Sequence, residues 1–339
     1  MFRHTPFRIA TLLALLVGMV IASFFAGYFG LEIMSEIIVL AILVLALDLV
    51  AGFGGMVSLC HGALLGFGAY AFAVFTALLG WDPSVAMIAA IAATGAVGWI
   101  IGALCSGSHG IYFIMVTLAF GQMAYSFVFG AAFLGGDDGM SGITRPDLSA
   151  IGVDLNDSRS FVLYALVCAV IAYLFAAQFL RSGLGRSLVG VQQSEQRVRA
   201  LGLVPWRTKA HAFGVSGLIA GLAGVLAAQH IMYISPGLLS WTVSGEALVV
   251  VILGGLGTLV GPLVGAVAFV LIKHEVAAVT PYWHLVVGVI LIAVVMSRAN
   301  GIFGFVEVRL NRRRAAKVAA TDVKTDAKLG KTEGQVRDA

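Results

Sequence analysis

The chain has 339 residues, of which 60% are hydrophobic and 11% charged, with a formal net charge of +4. An ordinary soluble domain carries roughly 25% charged residues to face water, so this composition excludes a water-soluble globular protein. The charge is too small and too localised for a nucleic-acid binder. Cys60, Cys105 and Cys168 sit in or beside apolar runs without metal-ligand spacing and read as small hydrophobes.

Apolar runs long enough to cross a bilayer, about 20 residues at 1.5 Å each, recur along most of the chain. They cover residues 9–29, 37–53, 57–79, 85–104, 111–134, 161–180, 210–230 and 284–303. The first follows a basic start but lacks a small-x-small cleavage site, so it reads as an uncleaved span rather than a signal peptide. Residues 246–271 are apolar too, but GGLGTLVGP interrupts them, with Gly254, Gly255, Gly257, Gly261 and Pro262 as helix breaks. Such a break survives at membrane depth only where protein or a cavity covers it.

Charge sets the expected orientation. Loop 135–160 holds five aspartates against two arginines and belongs outside, while loop 181–209 is rich in arginine and belongs in the cytoplasm. The basic stretch after residue 308 is cytoplasmic only if residues 246–271 leave on the side they entered. The expected fold is all-α, a polytopic bundle of about eight full spans plus a re-entrant helix pair, with both termini cytoplasmic. Residues 1–308 form the transmembrane domain, and 309–339 a basic tail too polar to fold.

No catalytic constellation stands out. The chain lacks GxxxxGK[ST], HExxH, GxSxG and paired-cysteine metal spacing, and GGLGTLVGP lacks a lysine for phosphate. Polar residues inside apolar runs are the next candidates, because an ionised Asp at a helix centre costs about 2.5–3.5 kcal/mol on insertion scales. Ser58, His61, Tyr70, Gln122 and Glu246 are candidate substrate-path residues. Interhelical hydrogen bonding accounts for the polar ones, and for Asp48, equally well. The glycines near His61 suit either close packing or unwound backbone along a path.

In VGVQQSEQRVRALGLVP, Val191, Val198 and Leu201 recur at helical spacing, Glu195 and Arg199 form an i,i+4 pair, and Gly202 with Pro205 supplies a stop. This predicts a short amphipathic helix on a basic loop. It suits docking to a soluble partner better than resting on the membrane.

Four blocks in order resemble a known family: LDLVAGFGGMVSLCHGALLGFGAY, YFIMVTLAFGQM, RSGLGRSLVGVQQSEQRVRALGL and VVVILGGLGTLVGPLVGA. They resemble the permease subunits of branched-chain amino-acid ABC importers, particularly the larger, LivM type, over about residues 35–305. Cys60 stands where that family usually has glycine, and Arg197 where it often has a small residue. The resemblance implies a non-catalytic subunit whose Glu195, Arg199, Ala200, Leu201 and Gly202 contact an ATPase. It also implies a second homologous permease, two cytoplasmic ATPases that hold ATP and Mg, and a periplasmic solute-binding protein; this chain itself would bind no cofactor. Uptake of branched-chain or related amino acids is the leading expectation. Urea, short amides or aromatic acids are the sister expectation, and a proton-coupled secondary transporter using Asp48 or His61 comes from a different class.

Overall fold

The computed structural model describes residues 6–147 and 154–280, with single positions up to 292. The expected span 284–303 and the tail 309–339 therefore fall mainly or wholly outside the described residues. The chain is an all-helical bundle: α1 (Pro6–Phe25), α2 (Tyr28–Ala51), α3 (His61–Ala73, continued as a π-turn to Leu78), α4 (Pro83–Cys105) and α5 (Ile111–Gly130). After an irregular loop come α6 (Ser158–Arg181), α7 (Gly183–Gln193), α8 (Glu195–Ala200), α9 (Pro205–Ile231), α10 (Trp241–Gly254) and α11 (Val260–Val279). Eight of these are long and apolar enough to cross a membrane.

The core is built around α2 and α9, whose side chains are mostly buried. Small residues allow close approach. A Cβ on Gly217 would lie 2.8 Å from the Thr94 carbonyl on α4, and one on Gly68 would lie 2.8 Å from the Gly221 backbone on α9. Between apolar helices in a bilayer, such backbone proximity supplies dispersion contact where burial from water cannot.

Contacts define two ends. At one, Gln192 Nε2 donates to the Gly52 carbonyl beyond α2 (3.1 Å), so α7, α8 and the end of α2 lie together. At the other, His230 pairs with Glu32 (2.9 Å), and Met140–Ser141 and Tyr233–Ile234 form a two-stranded antiparallel ladder. Arg145 seals that end. Its guanidinium donates to the carbonyls of Gln229, His230 and Leu155 and lies 4.4 Å above the Phe161 ring. Those of Gln229 and His230 are orphan carbonyls of the α9 C-terminus, satisfied by a cation where the helix dipole favours one.

Several expected boundaries shift. The second span starts at Tyr28 rather than residue 37, because Glu36, which interrupts the apolar run, is paired with Lys273 and His274 at 2.8 Å. The third starts at His61 rather than residue 57, and residues 52–60 are irregular yet largely buried. The interrupted segment 246–271 becomes two antiparallel arms turning at residues 255–259, with α11 twenty residues long. That arm reaches far enough to cross, so the pair is longer than a shallow re-entrant loop. Both arms nevertheless point away from the α8 end, and the chain leaves on the side from which it entered.

Gly255 (φ 116°) and Gly257 (φ 73°) make the turn, and Gly254 ends α10. Gly261 and Pro262, expected as breaks, instead stand in the first turn of α11, where a missing N–H has no intrahelical partner to lose.

Candidate functional site

Two helices begin well inside the bundle. α3 starts at His61 after the unwound segment 52–60, and α10 starts at Trp241 after a descending 3-10 turn (Pro236–Leu239). Their first turns meet: the Gly62 N–H donates to Ser244 Oγ at 2.8 Å. α10 has 14 residues, about 21 Å of rise, and so cannot cross a bilayer alone. Irregular backbone at this depth is tolerated only inside protein.

A buried hydrogen-bond relay holds this junction. His61 Nε2 lies 2.8 Å from Ser216 Oγ, and Ser216 donates onward to the Ala46 carbonyl at 2.7 Å. Ser216 therefore accepts from an Nε2–H, which leaves Nδ1 to accept from Ser58 Oγ at 3.2 Å. The Leu59 N–H is satisfied by Thr117 Oγ1 of α5 at 3.2 Å. Ser58 and His61 thus belong to one network joining α2, α3 and α9.

The other sequence candidates are elsewhere. Tyr70, on α3, is buried, and its hydroxyl has no hydrogen-bond partner among the described residues. Glu246 is half-buried on α10, one turn beyond the junction. Gln122 is exposed on the outer face of α5, with Tyr112, Met115 and Ser126 on the same stripe. The structure therefore brings Ser58 and His61 together but places Gln122 on the molecule's exterior rather than toward its own core. Ser216, Ser244 and Thr117 complete the network and were not candidates, because a hydroxyl in a glycine- and alanine-rich helix carries no distinguishing spacing.

At the α8 end, the expected amphipathic helix is broken in two. Ser194 takes extended backbone (φ −167°), and its Oγ accepts the Arg197 N–H, capping α8. Leu201, expected on the same face as Val191 and Val198, instead points outward: it is 78% exposed while those two valines are buried. Gly202 has φ 77°. The Gly202 N–H reaches the Arg199 carbonyl (2.9 Å) and the Leu203 N–H the Val198 carbonyl (3.2 Å), the paired bonds of a Schellman cap.

Glu195 anchors this helix. Its carboxylate pairs with Lys209 at the start of α9, with His109 in the α4–α5 loop (2.9 Å), and with Arg199 (3.6 Å). Lys209, almost fully buried, also donates to the Ser106 carbonyl at 3.0 Å. Partial burial pushes the Glu195 carboxyl up, but Lys209 and His109 outweigh it and hold it below the ordinary carboxylate range. A cavity of about 270 Å³ separates this cluster from the unwound segment, with Gly55, Val57, Gln192 and Glu195 on its wall.

Asp48, fully buried at the far end of α2, reaches across to the α10–α11 turn. Its two carboxylate oxygens accept the Gly257 N–H (2.6 Å) and the Leu259 N–H (3.0 Å). It caps α11 from another helix, in place of a side chain at Leu259, whose φ of 59° is itself strained. Among the described residues no group of three or more His, Cys, Asp or Glu could hold a metal ion.

A multi-pass helical bundle, with broken helices meeting inside it and a capped helix tied to its unwound backbone, is the architecture of a solute permease. The chain belongs to the branched-chain amino acid transport system / permease component family, whose model matches residues 29–295. It is 28% identical over 313 residues to the high-affinity branched-chain amino acid transport system permease protein LivM of Salmonella typhimurium, covering 86% of this chain and 74% of that protein. The Escherichia coli LivM protein is 27% identical over 327 residues, covering 90% and 77%. A probable LivM protein of Methanocaldococcus jannaschii is 27% identical over 138 residues, 40% of this chain and 39% of that one. No solved structure matches the chain.

Proposed function

We propose that this chain is the permease subunit of an ATP-binding-cassette importer that carries branched-chain or related amino acids across a bacterial inner membrane. The observation that carries this reading is α8: a doubly capped helix, anchored by Glu195, with Leu201, Leu203, Val204 and Trp206 exposed beside it. Apolar residues outside a span, rimmed by arginines, suit a soluble partner's surface. Gln192 ties the neighbouring α7 to the Gly52 carbonyl, so a push on this end is felt by the unwound backbone below His61.

On this reading the α8 end is cytoplasmic, both termini are cytoplasmic, and the acidic end receives a periplasmic solute-binding protein. ATP and Mg belong to two cytoplasmic ATPases. A second, homologous permease covers the exposed α5 stripe, which brings Gln122 toward a shared path. The non-catalytic role rests on the missing phosphate loop. Neutral amides are the second reading for cargo, favoured by the junction's hydroxyls, neutral ring and backbone groups.

The test is uptake by proteoliposomes holding this chain with its neighbouring-gene permease, ATPases and loaded binding protein. ATP-dependent accumulation of leucine, isoleucine or valine is expected, and accumulation of urea or acetamide instead would select the amide reading. Accumulation driven by a proton gradient without ATP would overturn the importer assignment.

A further inference from the structure

A groove between α1 and the rest of the bundle is not used by the transport reading. α1 exposes one face along its length, with Leu12, Leu15, Leu16 and Met19 half-buried on the other. It runs antiparallel to α6, because Arg159 near the start of α6 donates to the Ser23 carbonyl near the end of α1 (3.2 Å). Between them lies a cavity of about 110 Å³ with an almost entirely apolar wall: Leu12, Leu16 and Met19 from α1, Val170, Tyr173 and Leu174 from α6, closed behind by α2 and α11. These helices cross a bilayer, so acyl chains are what lies against the open side.

The groove becomes basic at one end. Arg8 stands one turn before Leu12, and Arg181 two turns after Leu174, both spacings that keep to one helix face. Antiparallel packing puts the two arginines at the same end, the α8 end. Beside Arg181 opens a second cavity of about 420 Å³, with Arg186 and Gln193 on its wall and no carboxylate among its lining residues.

We infer that this is a binding site for an anionic glycerophospholipid of the leaflet at the α8 end. One acyl chain lies in the α1 groove, the phosphate sits between Arg8 and Arg181, and the head group faces Arg186 and Gln193. Burial from water contributes little here, because lipid tails and leucines are equally apolar. Selectivity comes from charge. A zwitterionic head group would bring its own cation near the arginines, whereas an anionic one brings no such repulsion, which is how basic pockets at this depth favour acidic lipids.

The experiment takes the delipidated full chain, adds equimolar phosphatidylglycerol and phosphatidylcholine, and identifies retained lipid by native mass spectrometry. One tightly held phosphatidylglycerol is expected, with roughly tenfold preference over phosphatidylcholine from two charge contacts. The R8Q/R181Q double variant should lose the preference, while R207Q, a charge outside the groove, should keep it. A169F, which fills the groove and leaves the arginines in place, should also release the lipid. Variants are compared only where the elution profile and helix content match the parent. Equal retention of the two lipids, or a preference that survives R8Q/R181Q, overturns the site. Retention by A169F overturns the seating of the acyl chain. A stable dimer of this chain that excludes lipid from the groove overturns it as well.

Discussion

Asp48 shows how one buried carboxylate can be structural where its position in an apolar run suggests transport chemistry. Its oxygens accept two backbone N–H groups of the α10–α11 turn, donors that would otherwise be orphaned at a helix start. Asp48→Asn keeps one acceptor and sets an amide N–H₂ against a backbone N–H. The expected loss is about 1–3 kcal/mol of stability, read as a lower thermal midpoint in detergent, with uptake falling in proportion to folded protein. Uptake abolished at unchanged stability would instead make Asp48 a working proton carrier. Glu195 behaves differently. Its folded pKa lies below the ordinary value, so its contribution is present above about pH 4.3 and is lost as pH falls through the folded value. Hydrogen exchange of α8, once corrected for intrinsic rates, should therefore rise in acid as the Glu195 carboxylate is protonated and its pairing with Lys209 is lost. Glu195→Gln leaves the buried Lys209 ammonium without its carboxylate, and α8 should loosen at every pH.

At the scale of elements, α8 depends on its two ends more than on its length of six residues. A Cβ on Gly202 would touch nothing within 4 Å, so substitution there acts through φ alone. Gly202→Val should cost roughly 1–2 kcal/mol locally, leave insertion intact and reduce both ATPase co-purification and ATP-driven uptake. Gly202→Asn, which tolerates the left-handed region, should restore most of both. Normal transport by Gly202→Val at normal abundance would remove α8 from the coupling role. The Gly202 cap was legible in sequence, because glycine followed by proline has one local explanation. The break at Ser194 was not: Val191, Ser194, Val198 and Leu201 keep helical spacing, and only the Ser194 side chain's bond to the Arg197 N–H turns the chain. The same holds at residues 57–60, whose apolar character fits a helix, while their hydrogen bonds are met by Thr117, Ser58 and neighbouring backbone.

At the scale of the whole molecule, hydropathy and charge revealed the class of fold, since a bilayer leaves few alternatives. Pairings between distant segments were hidden. Glu36 looked like the edge of a span until Lys273 and His274 arrived from α11. Gln122 looked inward because a polar residue in an apolar helix usually is; the packing of Gly121 against Leu59 and Cys60 turns it outward. Topology offers a further test, independent of absolute orientation. Val279 and Asp137 are exposed at the acidic end and Leu201 at the α8 end, and the three native cysteines are all buried. Single cysteines at 279 and 137 should be labelled from the same side of the membrane, and one at 201 from the other. Labelling of 279 with 201 would unfold the α10–α11 pair into one crossing. The chain alone should turn over no ATP above background.

The Asp48 cap also has a consequence in time. Its partners lie 209 and 211 residues downstream, so at about 5–20 residues per second the ribosome makes them some 10–40 seconds after α2 emerges. During that interval the acid relies on head-group water. α2 is thus secured long after it is made, and its final depth waits for a hairpin more than 200 residues downstream. Nascent chains stopped before Gly257 should be cleared by membrane proteases much faster than chains stopped after α11, with Asp48→Leu sparing the shorter ones.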